Sequence, residues 1–178
     1  VVLPEQRPRL TNEEVMARCP WATFGKLKHR GPNIVTSLEL DPAEMEKRNI
    51  HLQQKYAEIE EKEVRYEEIH CDDAEYLIVA FGSCARIAQK AMEEARAEGI
   101  KVGLLRPITL WPFPSKAIAE RSRQVKGILT VELNAGQMVE DVRLAVECKV
   151  PVEYFGRLGG IVPDPDEVVT ALKEKIIK

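Results

Sequence analysis

The chain has 178 residues, 44% hydrophobic and 31% charged, with a formal net charge of -3, enough for one domain and an appendage that bury roughly 70% of the unfolded surface. The charge balance provides no basic footprint for nucleic acid or an anionic membrane, so neither is an expected partner. No apolar stretch approaches the ~20 residues that span a bilayer, and no basic segment followed by an apolar one opens the chain, which makes the cytoplasm the expected location.

Residues 1–40 read as a connector. Five of the eleven prolines fall within residues 1–42 and the next is Pro107, and "CPWATFGK" and "RGPNIV" show neither helical nor strand period. Such a segment suits being draped over another surface and is expected to be poorly ordered alone, over residues 1–35. Because the chain starts at Val1 rather than Met, it reads as a fragment of something longer.

A linker helix is predicted over 41–62. Asp41 is its N-cap, Pro42 occupies the first helical position, and Glu44 is placed to reach back to the exposed amide as in a capping box. From Asp41 to Glu75 there are twelve acids against five bases, a solvated acidic face whose sign is wrong for docking an acidic ferredoxin.

Residues 63–178 read as an α/β domain. "EVRYEEI" (63–69) suggests a strand with Val64, Tyr66 and either Glu68 or Ile69 inward, followed by a turn at Asp72 and Asp73. Four strand-to-helix units follow. "YLIVAF" (76–81) leads into a helix with an Ile87, Ala88, Ala91, Met92, Ala95 stripe that stops at Gly99. "KVGLL" (101–105) leads through "RPITLWPFP" to a helix near 115–123, and "GILTVEL" (127–133) leads through "NAG" to one at 137–147. "VPVEYF" (150–155) leads through "GRLGGIVP" to a last helix that repeats the start signal Asp164, Pro165, Glu167. Strands apolar on both faces, alternating with helices, give a mostly parallel sheet covered on two sides, with 63–69 the antiparallel outlier.

The corner "AFGSCA" invites a phosphate-binding reading. It has one glycine where a dinucleotide fingerprint needs three, and no Lys-Ser/Thr pair, so Gly82 and Ser83 are assigned a tight turn and an N-cap. No second glycine or following His completes a hydrolase site. Parallel strands deliver their ends to one edge, which would gather Gly82, Ser83, Arg106, Glu132, Asn134, Gly156 and Arg157, with unpaired amides at helix starts near Ser83 and Gln137. That edge could bind a small anion; contact with a partner subunit is the favoured reading. Cys19, Cys71, Cys84 and Cys148, like His29, His51 and His70, lack the spacing of a disulfide framework, zinc site or iron–sulfur ligand set. They are read as reduced thiols and surface or linker histidines, with Cys84 packed rather than reactive.

From about Thr36 onward the chain resembles the α subunit of 2-oxoacid:ferredoxin oxidoreductases, most closely the 2-oxoisovalerate branch. The resemblance rests on "EKRNIHLQQKY" (46–56), "GLLRPITLWPFP" (103–114), "VELNAGQMVEDVRLAV" (131–146) and "FGRLGGIVPDPDEV" (155–168). It implies the subunit's second domain, similar to the C-terminal domain of transketolase: a three-layer sandwich with a five-stranded mixed sheet. The family enzyme oxidatively decarboxylates a 2-oxoacid on thiamine diphosphate with magnesium, reduces ferredoxin through iron–sulfur clusters and forms an acyl-coenzyme A. By resemblance the cofactors lie outside this chain, which is expected to hold none, to be inactive alone, and to pack against the thiamine-binding β subunit, the iron–sulfur subunit and the γ subunit, with ferredoxin an indirect partner.

The motif "NAGQM" matches the family's Asn-x-Gly-Gln-Met. Asn134, Gly136, Gln137 and Met138, with Arg106 and Arg157, are the candidate interface or anion-site residues. Gly136 is expected just before or in the first turn of its helix, letting the backbone approach a neighbour. The sequence departs from the family at Cys84, where a small residue or threonine is expected, and at Leu158, where proline commonly precedes "GG". The alternative reading is a stand-alone α/β module that binds a small anion or phosphate at the strand-end edge.

Overall fold

The alternation in residues 63–178 closes into one sheet. In the computed structural model, which describes residues 9–22, 25, 31–32 and 37–177, the strands are β1 (Tyr66–Ile69), β2 (Tyr76–Ala80), β3 (Val102–Pro107), β4 (Ile128–Glu132) and β5 (Val152–Gly156). They pair in the order β1-β3-β2-β4-β5. β1 runs antiparallel to β3, with Tyr66 opposite Pro107, and the remaining pairs are parallel. The antiparallel first strand and the mixed, mostly parallel sheet are as the sequence indicates.

Side chains alternate across a strand, so each strand feeds two cores. Ile78 and Ala80 join one apolar cluster with Leu104, Leu129 and Val131, while Leu77 and Val79 join the other with Leu105 and Ile128. The first cluster is covered by α3 (Gly82–Ala97) and α6 (Pro165–Leu172), the second by α4 (Ser115–Ser122) and α5 (Met138–Val146). The result is three layers. α3 presents Ala88, Ala91, Met92 and Ala95 to the sheet, the expected stripe, and its alanines let the helix approach closely. α6 begins with a full capping box in which the Asp164 side chain accepts from the Asp166 amide and Glu167 accepts from the Asp164 amide.

The structure corrects three local readings. Tyr66, expected inward, is 43% exposed, because β1 is an edge strand paired only with β3; Ile69 packs on the first cluster, and Glu68 on the opposite face accepts from Arg121. Ser83 is not an N-cap: Phe81 is, and its apolar side chain leaves the helix start without a side-chain cap bond. The connector also contains a helix, α1 (Asn12–Arg18), held by a Thr11–Glu14 capping box at 2.7 and 3.2 Å. That "TNEE" carries the same start signal as the later helices. "CPWATFGK" and "RGPNIV" lie largely outside the described residues, as does most of the stretch 1–35 expected to be poorly ordered.

The chain divides into two compact units, Val1–Arg48 and Asn49–Lys178. α2 (Pro42–Lys62) starts in the first, where the Asp41 side chain accepts from the Ala43 amide at 2.8 Å. Glu44, expected to reach back to the cap, instead accepts from Lys47 Nζ at 2.6 Å. α2 has no buried residue, in keeping with its acid-rich, solvated composition. None of the helices among the described residues is long and apolar enough to cross a membrane.

Candidate functional site

The carboxyl-terminal edge of the sheet is organised around one side chain. Glu132, the last residue of β4, has 0% exposure. By strand alternation it faces α5, as Ile128 does, and its carboxylate accepts from the amides of Gln137 at 3.2 Å, Met138 at 2.9 Å and Val139 at 3.0 Å. A helix N-terminus presents unpaired N–H groups and a partial positive charge, and an anion there is stabilised by both. The expectation of unpaired amides near Gln137 is thus corrected: the chain fills that position with its own carboxylate. The same charge reaches its neighbours. Burial, then the nearness of Glu132, pushes the Cys84 thiol and the Tyr154 phenol above their ordinary values. Cys84, buried and free, is therefore less ionisable than an ordinary thiol.

The "NAGQM" motif is the loop that makes this geometry. Asn134 Oδ1 accepts from the Gly136 amide at 2.7 Å, and the Asn134 carbonyl accepts from the Tyr154 hydroxyl. Gly136 sits at φ +98, where L side chains are disfavoured, and a Cβ there would lie 3.2 Å from Val139 Cγ1. Gln137 is the N-cap of α5 and is exposed, while Met138, 4% exposed, joins the second core cluster. Three of the four motif residues are thus engaged with their own chain, and Gln137 is the side chain directed outward.

The other predicted residues divide between two places. Arg157 lies beside the motif: its amide donates to the Glu132 carbonyl at 3.3 Å and its Nη2 pairs with Glu167 at 3.3 Å. Arg106 lies two strands from β4, roughly 10 Å across the sheet, and pairs with Glu67 at 3.0 Å. The Nε atoms of both arginines are covered and bond to no described residue. Gly82 and Ser83 are exposed at the start of α3, with Gly82 at φ +56.

What sequence reasoning missed is the apolar character of this edge. The loops that follow β3, β4 and β5 expose Ile108, Leu110, Trp111, Leu133, Leu158, Ile161 and Val162. These are seven of the eleven exposed large apolar residues described in the second unit, and clustering of this kind marks an interaction surface. No periodicity announces such residues, because loops have none.

Residues 74–168 match the family model for the pyruvate:ferredoxin oxidoreductase core domain II. The chain belongs to this family. Among its relatives, the ketoisovalerate oxidoreductase subunit VorB of Methanothermobacter thermautotrophicus is 49% identical over 154 residues, which cover 86% of this chain and 43% of the relative. The chain therefore spans less than half the length of that relative. A solved 2-oxoglutarate:ferredoxin oxidoreductase from Magnetococcus marinus superposes with a TM-score of 0.66 at 24% identity, covering 76% of this chain and 24% of that one. A split gene transketolase superposes with a TM-score of 0.55 at 22% identity, covering 62% of this chain and 40% of that one. Both place this core domain II chain in the fold the sequence suggested. Its homologues are subunits of 2-oxoacid:ferredoxin oxidoreductases, an enzyme complex.

Those enzymes suggest thiamine and iron–sulfur cofactors generally, and the donor set among the described residues does not fit them. No group of three or more His, Cys, Asp or Glu that could hold a metal occurs among the described residues. The α5 amides that could hold a diphosphate are taken by Glu132, so no step through these groups is assigned to this domain.

Proposed function

We propose that this chain is the non-catalytic second domain of the α subunit of a 2-oxoacid:ferredoxin oxidoreductase of the 2-oxoisovalerate branch, working in the cytoplasm. The whole enzyme would convert a branched 2-oxoacid, coenzyme A and oxidised ferredoxin to acyl-coenzyme A, carbon dioxide and reduced ferredoxin. Within it this domain binds the enzyme's other parts through the carboxyl-terminal edge of its sheet. The thiamine-binding β subunit, the iron–sulfur subunit and the γ subunit are the proposed neighbours, and ferredoxin is reached only through them.

The observation that carries this reading is the pairing of a filled anion position with an apolar rim. A ligand-binding edge would leave its helix amides open. Here Glu132 occupies them, and the loops that carry Asn134, Gln137 and Arg157 also expose Leu133, Leu158, Ile161 and Val162. That surface matches the anatomy of an interface: apolar loops, with arginine and amide groups at the rim. The small-anion module is disfavoured on the same ground.

The test is co-purification of the tagged, intact α subunit with its partner subunits. Replacing Gln137 and Arg157 together with alanine should release partner subunits while the α subunit stays folded. An undiminished yield of complex would remove this edge from the interface.

A further inference from the structure

Away from the Glu132 edge, the second unit contains a groove of about 750 Å³, within the 300–1,000 Å³ typical of ligand sites. The last two turns of α2, the start of β1, the loop before α4 and α4 itself form its walls. Its floor is apolar, with Val64, Phe113 and Pro112 among its members. At its mouth Trp111 stands 54% exposed, its ring set edge-on to Tyr56 with centroids 5.6 Å apart.

The charged side chains that line this groove are mostly acidic. Several acids elsewhere on the second unit are paired, Asp73 with Arg96, Glu67 with Arg106, Glu68 with Arg121 and Glu75 with Lys126. Glu60, Glu61 and Glu120 line the groove with one ammonium, Lys116, and none of the four side chains makes a hydrogen bond or ion pair among the described residues. Glu60 and Glu61 also lie in the last turn of α2, at the negative end of the helix, where an acid is disfavoured on its own account. Two carboxylates near the negative end of a helix, with a third in the same groove, favour a cation there.

We propose that this groove docks an extended, proline-containing segment of a partner polypeptide that carries arginine or lysine. The three carboxylates outnumber Lys116 and set the sign of the ligand. The exposed Trp111 face offers a cation a ring to stack on. Aromatic and proline side chains form the kind of surface that receives a polyproline-type backbone, whose stiffness lowers the ordering cost of binding. A small polycation would satisfy the carboxylates and leave the apolar floor wet, whereas a peptide covers both. The inference goes beyond the interface reading: it uses α2, β1 and α4, and only Trp111 is common to both surfaces.

The test reads Trp111 fluorescence in a Trp21→Phe chain, since the sequence contains two tryptophans. An alternating Arg-Pro decapeptide should give a saturable change. Its Kd should rise about tenfold in the Glu60→Gln, Glu61→Gln chain and again in Glu120→Gln, and it should rise with added sodium chloride. Lys116→Ala should bind the peptide at least as tightly as its parent. Far-UV circular dichroism of each variant should match that of the parent, as expected for substitutions at the exposed Glu60, Glu61 and Glu120. The proposal is overturned by no saturable change, by an equal response to a Glu-Pro decapeptide or to spermine, or by unchanged affinity in the glutamine variants. Co-purification of the complex is a separate readout, so this result and the fate of the interface reading are independent.

Discussion

The two edges of the sheet solve the same problem differently. Every parallel strand has an entry end and an exit end, each leaving polar backbone to be satisfied. At the entry edge the solution is charge and water: Glu75 pairs with Lys126 and Lys101, Glu147 with Lys149, and Asp73 takes both Oδ atoms to Arg96, whose Nη1 also donates to the Val102 carbonyl. At the exit edge a buried carboxylate, Glu132, ties three amides of α5, and the loops around it are apolar and exposed. An edge finished with solvated ion pairs has no need of a partner. An edge with its polar groups satisfied from within and its apolar side chains left outside is prepared to be covered.

The largest effect should come from removing Glu132. Glu132→Ala leaves the Gln137, Met138 and Val139 amides without their acceptor, and breaking a buried charged network costs on the order of 3–5 kcal/mol. For a chain of this length that corresponds to a melting temperature lower by about 10 °C. Acetate added to the variant should restore part of the loss by occupying the vacated position. A variant that melts with its parent would show that the internal anion does not hold this edge together.

Gly136→Val should follow. A β-branched residue at φ +98, with its Cβ against Val139, costs about 2 kcal/mol in this chain alone. The close neighbour of Gly136 is its own chain, so the folded domain itself should weaken. If thermal melting of the isolated variant is unchanged while the complex fails to assemble, the glycine serves a partner instead.

A smaller effect on stability, with a large one on assembly, is expected of the rim. Leu158→Ser with Ile161→Ser should change the stability of the isolated chain by less than about 0.5 kcal/mol, because neither side chain is buried. Recovery of partner subunits with the intact α subunit should fall about tenfold, as for loss of well-packed interface residues. Equal recovery would make the exposed rim an ordinary surface.

The two edges were not equally legible in the sequence. The sheet itself was, since its strands are short apolar runs bounded by turn residues, and the α6 start signal Asp164-Pro165-Glu167 forms the capping box it spells. The gathering of Glu132, Asn134 and Arg157 at one edge followed from parallel topology, and the structure places them together. Arg106 was grouped with them by the same rule, but strand order sets it two strands away, and order is fixed by long-range pairing that no local pattern reports. The closure of the α5 N-terminus was missed for a related reason. Whether an acid at a strand end faces solvent or turns under the next helix depends on the loop between them, here five residues shaped by the positive φ of Gly136. The α1 capping box, by contrast, was present in "TNEE" and was masked by the prolines around it.

The smallest effect belongs to the entry edge and concerns pH. Hydrogen bonding from Lys126 holds the Glu75 carboxyl below its ordinary 4.5, and bonding from Arg96 holds Asp73 below 3.8. Donating that hydrogen bond to Glu75 in turn raises Lys126 above 10.5. A carboxyl depressed on folding contributes stability above its unfolded value, and loses it as pH falls through the folded value. An ammonium raised on folding contributes below its unfolded value and loses it as pH climbs through the folded one. The Glu75–Lys126 pair therefore acts across the neutral range and fades at both extremes. All three groups are solvated, so the contribution is slight and salt should erase it. Glu75→Gln should flatten the acid limb of the melting-temperature profile between neutral pH and pH 3 at low salt, and leave the profile at high salt unchanged. An acid limb as steep in the variant as in the parent would assign the pH dependence elsewhere and remove the entry-edge ion pairs from the comparison.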